Sequence, residues 1–315
     1  MNQDRIREAR SLWAEAWRRL RRNRLAMVCL AVISLYLALG LLGFVPVRQR
    51  QGAGEAATVR RIDLVDWAFL KLVGPTDREE SYVPPLTGRH LLGTDIMGTD
   101  VLYKAVKGVR TAVVLGGLTA AIYIPLGLLF GIVAGYFGGL VDDLIVYVYS
   151  TLACVPGILL LIALMSVMGK GLVQLCLAMG VTSWVGLCRL IRGETLKLRE
   201  SDYVLAARAV GAGRARIILR HILPNLFHIV IITFTLGFSG IVMSEAVLSY
   251  IGIGVEATTI SWGTMIADAR MEVSRDPSVW WHLAGGAGAL FILVLVMNVF
   301  GDALRDALDP KLRTE

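Results

Sequence analysis

The chain has 315 residues, 56% of them hydrophobic, and its mean hydropathy is +0.64. A soluble domain rarely has this composition, and several apolar runs reach the roughly 20 residues that a helix needs to cross a bilayer. The formal net charge of +7 is concentrated at the ends of these runs. That distribution is typical of membrane topology and argues against nucleic acid as a partner.

The sequence of residues 1–25 predicts a cytoplasmic amphipathic arm. Trp13, Trp17 and Leu20 share one helical face and have arginines around them, a pattern typical of a helix in the membrane interface. The alternative is that the arginines only anchor the first transmembrane helix, which we assign to residues 26–45. Because this run follows a long charged arm and lacks a clear small-residue cleavage site, we interpret it as an uncleaved anchor.

Residues 46–110 are polar and, by alternation, predicted to be extracytoplasmic. Within them, turn residues at 93–95 precede an amphipathic helix that Asp100 can cap. We expect this helix to lie at the membrane interface, and contact with the transported solute is the alternative.

Residues 111–303 predict a core of five further transmembrane helices. We place these helices at 111–137, 142–168, 171–190, 226–250 and 283–300. Gly127, Gly131 and Gly135 recur every four residues in the first of them and form a smooth face for close helix approach. That face suits packing either within the subunit or against a partner.

Glu245 lies near the outer end of the helix predicted at 226–250. An acidic group at membrane depth costs a few kcal/mol, so this side chain should face protein or water. It either lines the solute path or makes a packing hydrogen bond, and the second is favoured. Residues 252–282 predict an outer loop with Trp280 and Trp281 as interface anchors. Residues 304–315 predict a cytoplasmic tail.

The loop 193–225 is rich in Arg and Lys, which predicts a cytoplasmic location. Asp202 suits the N-cap of a short helix over 203–210, and Gly211 ends that helix. A second amphipathic turn follows, and Pro224 then opens the next span, where a missing N–H costs nothing. A short helix with a small-residue face can lie closely in a groove of another protein.

This loop resembles the EAA loop of ABC-importer permease subunits, which receives the motion of the ATPase subunit. The resemblance rests on Ala206-Ala207, Gly211 and Leu223-Pro224, although Leu205 stands where that motif usually has Glu. The alternative is an ordinary basic cytoplasmic loop. Further segments follow in the same order as in the second permease subunit of peptide-type (oligopeptide/dipeptide/nickel) ABC importers: HLLGTD, GYFGG, AARAVGAG, RHILPN, SWGTMI and GDALRDALDPKLR.

The resemblance implies an all-α integral membrane protein with about six transmembrane helices, the type I ABC-importer permease fold and a cytoplasmic coupling helix. It implies a location in the bacterial inner membrane. The six apolar runs, with basic residues at 18–24 and 189–220, predict that both termini are in the cytoplasm. The implied partners are a second homologous permease subunit, two ATP-binding ABC ATPase subunits, an extracytoplasmic solute-binding protein and membrane lipid. The implied coupling residues are Asp202, Tyr203, Ala206, Ala207, Gly211, Leu223 and Pro224.

The sequence has no G-x-x-x-x-G-K-[ST] loop, and its histidines and four cysteines have no metal-ligand spacing. We therefore expect no cofactor, no metal and no enzyme activity, with ATP hydrolysis in separate subunits. A secondary transporter would need inverted repeats and intramembrane acid–base groups, and an intramembrane enzyme would need clustered titratable residues. A permease subunit that forms half of the pore for peptides or similar solutes is the favoured hypothesis. The alternatives are a secondary transporter or an importer of nickel- or opine-type solutes.

Overall fold

The computed structural model describes residues 12–51, 58–74 and 80–308. Within these ranges the chain is mainly helical, with one antiparallel hairpin of β1 (Pro46–Gln51) and β2 (Thr58–Asp63). The helices are α1 (Leu12–Arg22), α2 (Arg24–Leu42), α3 (Leu64–Leu72), α4 (Val101–Phe137), α5 (Gly139–Cys154), α6 (Gly157–Met168), α7 (Leu172–Arg199), α8 (Asp202–Ala209), α9 (Arg214–Ile217), α10 (Leu223–Ile251), α11 (Trp262–Val273) and α12 (Trp281–Leu308).

Five helices in the described part of the chain are long and apolar enough to cross a membrane. They are α2, α4, α7, α12 and the continuous helix Arg214–Ile251, which includes α9 and α10. The pair α5 and α6 passes the same test jointly, so the structure has up to six spans. This agrees with the predicted number.

The third span is broken, whereas we predicted one helix over 142–168. The chain bends by 88° between α5 and α6. Pro156 has no N–H, and its ring would strike the carbonyl four residues earlier in a straight helix. Val155 is extended, with φ −86° and ψ 128°, as is usual for a residue before proline.

The second span begins ten residues before the predicted start at 111, because α4 is one helix of 37 residues from Val101. The predicted amphipathic helix is therefore the first part of this span and not a separate element. Asp100 caps it as predicted, since its side chain accepts a hydrogen bond from the Tyr103 N–H at 3.0 Å. At 1.5 Å per residue the helix is ~55 Å long, so it extends beyond a hydrocarbon core of ~30 Å.

Helices α4 and α7 form the central pair, and the glycine face of α4 lies against α7. A Cβ on Gly131 would lie 2.7 Å from the Ile191 side chain, and one on Gly127 or Gly135 would lie 2.9 or 2.7 Å from atoms of α7. Only glycine permits this approach of the two backbones. The sequence left open whether this face packs within the subunit or against a partner. In the structure it packs within the subunit, against α7.

The arm contributes α1, which packs on α12. Ala16 and Leu20 are buried there, whereas the Trp17 side chain is 48% exposed. Contrary to our prediction, Trp17 and Leu20 therefore do not share one environment: Leu20 packs on α12 and Trp17 lies at the surface. The side chain of Trp13 and all of residues 309–315 lie outside the described residues.

Trp280 and Trp281 differ, although we predicted that both anchor the protein at the membrane interface. Trp280 is exposed, but Trp281 is only 9% exposed. The Trp281 indole N–H donates to the Thr94 carbonyl at 2.9 Å. For Trp281 the prediction was wrong, because this indole holds the segment before α4 against the start of α12.

Candidate functional site: the segment between the fourth and fifth spans

The short helix α8 spans Asp202–Ala209, close to the predicted 203–210. Its N-cap is Ser201, with φ −73° and ψ 147°. Asp202 is thus the first helical residue, and its prediction as N-cap was wrong by one position. The Ser201 hydroxyl donates to the Leu198 carbonyl at 2.5 Å and does not cap α8. The Asp202 carboxylate lies in the first turn, where the helix dipole favours negative charge.

The end of α8 is a Schellman turn around Gly211. The Gly211 N–H donates to the Arg208 carbonyl and the Ala212 N–H donates to the Ala207 carbonyl, both at 3.0 Å. Gly211 has φ +85°, which favours glycine. A Cβ at this position would meet no atom within 4 Å. A side chain at Gly211 would therefore strain the backbone without a steric clash.

The outward face of α8 consists of Asp202, Leu205, Ala206 and Ala209, which are exposed and have helical spacing. Val204 is fully buried and fixes the opposite side of the helix to the bundle. The sequence singled out Ala206 and Ala207 together, but Ala207 is half-buried at the side of this face. Ala206 is the small residue that projects outwards.

Pro224 lies in the first turn of α10, as predicted, but the helix continues backwards through the π turn to Arg214, so the fifth span does not begin at this proline. A π turn at Ile218–Ile222 precedes it, and the Leu223 N–H donates to the Ile218 carbonyl five residues earlier. The wider turn changes the hydrogen-bond register just before the proline, whose ring and missing N–H would disrupt an ordinary helix. Leu223 is half-buried and packs against the core.

The neighbouring helix ends are fixed by charged side chains. Arg192 of α7 donates two hydrogen bonds, at 2.6 and 2.7 Å, to the carboxylate of Asp142 in α5. Such a two-bond guanidinium–carboxylate pair is both strong and directional. Arg199 donates to the Gly135 carbonyl at 3.3 Å, near the end of α4. These contacts hold the end of α7, the helix that precedes α8, in place.

Glu245 lies at the other end of the fifth span and is only 2% exposed. Its Oε1 accepts hydrogen bonds from the hydroxyls of Ser249 and Ser261, both at 2.7 Å. Ser261 also caps α11, where its Oγ accepts from the Thr264 N–H at 3.0 Å. The Glu245 contacts are those of a packing hydrogen bond that joins α10 to α11.

A cluster of buried ionisable side chains outside the predicted spans was missed by sequence reasoning. His90 Nδ1 lies 3.0 Å from Asp100 Oδ2, and His282 Nδ1 lies 2.7 Å from Glu272 Oε2. Glu272 Oε1 also accepts from the Ile96 N–H at 3.3 Å. These contacts join the segment before α4 to α11 and α12. Two of these contacts join residues ten apart in the chain and one joins residues 176 apart, so the regular spacings of helices and strands do not indicate them.

A helical bundle with up to six spans and a short helix between the fourth and fifth of them is the architecture of a multi-pass membrane protein. Residues 127–314 match the model of the binding-protein-dependent transport system inner membrane component. Residues 11–49 match the N-terminal transmembrane domain of oligopeptide transport permease C. The chain belongs to the binding-protein-dependent transport family: it is a permease subunit of an ABC importer with the type I importer fold.

Full-length relatives support the same assignment. The chain is 35% identical to the oligopeptide transport system permease protein OppC of Bacillus subtilis over 303 residues, which cover 96% of this chain and 91% of that protein. It is 33% identical to the dipeptide transport system permease protein DppC of the same organism over 320 residues, or 99% and 92% of the two chains. It is 31% identical to the glutathione transport system permease protein GsiD of Escherichia coli over 313 residues, or 97% and 93%. The resemblance stated from sequence is confirmed, and the secondary-transporter alternative is not favoured.

Proposed function

We propose that this chain is the second permease subunit of a peptide importer and forms half of its translocation pore. The relatives are named for oligopeptide, dipeptide and glutathione transport, and these solutes share a peptide main chain. The names favour a peptide over a nickel- or opine-type solute. The other half of the pore comes from a second, homologous permease subunit.

Helix α8 is the observation that carries the proposed mechanism. Its outward face of Asp202, Leu205, Ala206 and Ala209 is exposed beside the ends of the fourth and fifth spans. The sequence itself has no nucleotide-binding loop. Helix α8, together with Gly211, Leu223 and Pro224, therefore receives motion from one of two separate ATPase subunits, while an extracytoplasmic binding protein delivers the solute.

The proposed topology places both termini in the cytoplasm of a bacterium and the chain in its inner membrane. Arginines are dense in and around α1 and again between residues 189 and 220, and cytoplasmic segments carry an excess of positive charge. The hairpin, α3 and α11 are then extracytoplasmic. Membrane lipid surrounds the parts of the spans that no protein partner covers.

The test uses the complete complex in proteoliposomes: both permeases, the ATPases and the binding protein. ATP-dependent uptake of labelled trialanine is expected only with all components present. The same chain alone in vesicles should take up nothing, because it holds half of a pore and no ATPase. Uptake by the chain alone would contradict the proposed division of labour.

Two substitutions test α8 within that complex. Ala206→Trp adds bulk to the outward face, and Gly211→Val adds strain of ~1 kcal/mol or more at a residue with positive φ. Uptake and solute-dependent ATP hydrolysis should fall at least about tenfold, which a loss of ~1.4 kcal/mol in docking is enough to cause. Arg216→Gln, an exposed change outside α8, should have little effect. Normal coupled activity in a correctly assembled Ala206→Trp complex would mean that α8 is only a connection.

A further inference from the structure

The main-chain connection between α8 and the fifth span is poorly suited to transmit force. It passes through Gly211, Ala212 and Gly213, and a Cβ on either glycine would meet no atom within 4 Å. Glycine restricts the backbone less than any other residue. The buried residue of α8 is Val204, which holds the helix to the bundle at one point. A displacement of α8 therefore needs a second route into the span.

Tyr203 provides a side-chain route from α8. Its hydroxyl accepts a hydrogen bond from Asn225 Nδ2 at 3.4 Å. Its ring centroid lies 6.3 Å from that of His221, at an interplanar angle of 42°. His221 belongs to the π turn and Asn225 to the first turn of α10. Tyr203 thus contacts the fifth span on both sides of Pro224.

Asn225 also donates from Nδ2 to the His221 carbonyl at 2.6 Å. A side-chain amide carries two N–H groups, so one nitrogen can serve Tyr203 and His221 together. His221 lies in the π turn, where the regular hydrogen-bond series of the helix is interrupted. The Asn225 amide therefore bridges the irregular turn and connects it to α8.

We propose that Asn225 is a positioning residue for energy coupling. Its amide holds Tyr203 of α8 and the carbonyl of His221 at fixed positions, so that α8 and the start of α10 move as one body. A displacement of α8 by the ATPase then moves the span and is not absorbed at the glycines. This inference rests on the proposed function, since it requires that α8 receives motion.

The first experiment measures solute uptake per ATP hydrolysed in the reconstituted complex. Asn225→Leu keeps the approximate size and removes the amide, and Tyr203→Phe removes only the hydroxyl. Each should lower labelled trialanine uptake per ATP at least about threefold, the size of effect expected from one lost hydrogen bond. The double variant should be no worse than Asn225→Leu, because both changes break the same link. Arg220→Gln, an exposed change in the same π turn, should leave the ratio unchanged.

A second measurement separates this role from a merely structural one and does not depend on the solute. Spin labels at Arg208 and Phe227, both exposed, report the distance between α8 and α10 in nucleotide-free and vanadate-trapped complexes. The distance should stay constant in the otherwise unchanged complex and should differ between the two states in Asn225→Leu. If that variant does not assemble, Tyr203→Phe carries the same test.

The two proposals fail in different ways. If the unmodified, assembled complex takes up no peptide with ATP, the proposed solute class is wrong, and the spin-label distance still tests Asn225. If Asn225→Leu and Tyr203→Phe both keep the normal uptake per ATP and a constant distance, the role of Asn225 is overturned while the importer function stands.

Discussion

Gly131 allows a direct test of how the two central helices are held together. In Gly131→Ala the new Cβ would lie 2.7 Å from the Ile191 side chain and 2.9 Å from the Cys188 carbonyl oxygen. Ile191 and Cys188 are fully buried, and a helical carbonyl cannot rotate away. Helix α4 therefore has to move away from α7. Gly117 of the same helix is the matched control, since a Cβ there meets nothing within 4 Å.

The expected loss of stability in Gly131→Ala is the difference between two opposing effects. The new contacts are well below the 3.4 Å at which ordinary van der Waals contact begins, and overpacking of this kind costs ~1–3 kcal/mol. Replacing a helical glycine by alanine returns up to ~1 kcal/mol through helix propensity. The expected net loss for Gly131→Ala is thus ~1–2 kcal/mol, given these two ranges. Gly117→Ala should be neutral or slightly stabilising.

The assay is thermal unfolding of the purified subunit in detergent, with both variants measured in the same preparation. Gly131→Ala should unfold several degrees below the unmodified chain, and Gly117→Ala should not. Equal unfolding temperatures for the two variants would refute the close packing of α4 on α7. A graded loss from alanine to leucine at Gly131 would support it further.

Two further predictions concern the outer end and the topology. In thermal unfolding, Glu245→Ala should lower the free energy of unfolding by ~1–3 kcal/mol, because the hydroxyls of Ser249 and Ser261 lose their buried acceptor. Glu245→Gln keeps an acceptor oxygen and should lower it less. Equal losses in the two variants would argue against this role of the carboxylate. For topology, a cysteine at the exposed Leu86 should react with an impermeant thiol reagent in intact cells, and one at Gly213 only after the membrane is opened. Reversed labelling would overturn the orientation and, with it, the coupling role of α8.

Sequence reasoning worked best where local chemistry decides the structure. Helix α8 and its end at Gly211 follow from a short run of helix formers and a glycine turn, so no distant contact is needed to predict them. The spans follow from hydropathy in the same way. Their ends were less certain because apolar and polar residues mix there, as in α4, which starts well before the apolar run.

The prolines show what local sequence cannot decide. Pro125 lies inside the unbroken α4, Pro224 follows a π turn, and Pro156 separates α5 from α6. Proline thus has three different outcomes in this chain. The surroundings of each proline determine how its ring, and the carbonyl that loses its hydrogen bond, are accommodated. The burial of Trp281 was also missed, because its partner Thr94 is 187 residues away in the chain.

The break between α5 and α6 has a consequence for how the cell makes this protein. The residues around it are exposed, and the cavity beside it, of about 430 Å³, is also lined by Ser183 of α7 and Ser244 of α10. Ser183 is 11 residues into α7, or ~17 Å from its N-terminal end at 1.5 Å per residue, so the break lies deep in the membrane. Hydrocarbon cannot satisfy backbone groups left unpaired at a helix break. In the proposed complex the second permease subunit covers this break. A chain made in excess of that subunit would expose the break to lipid, and we expect membrane quality-control proteases to remove it.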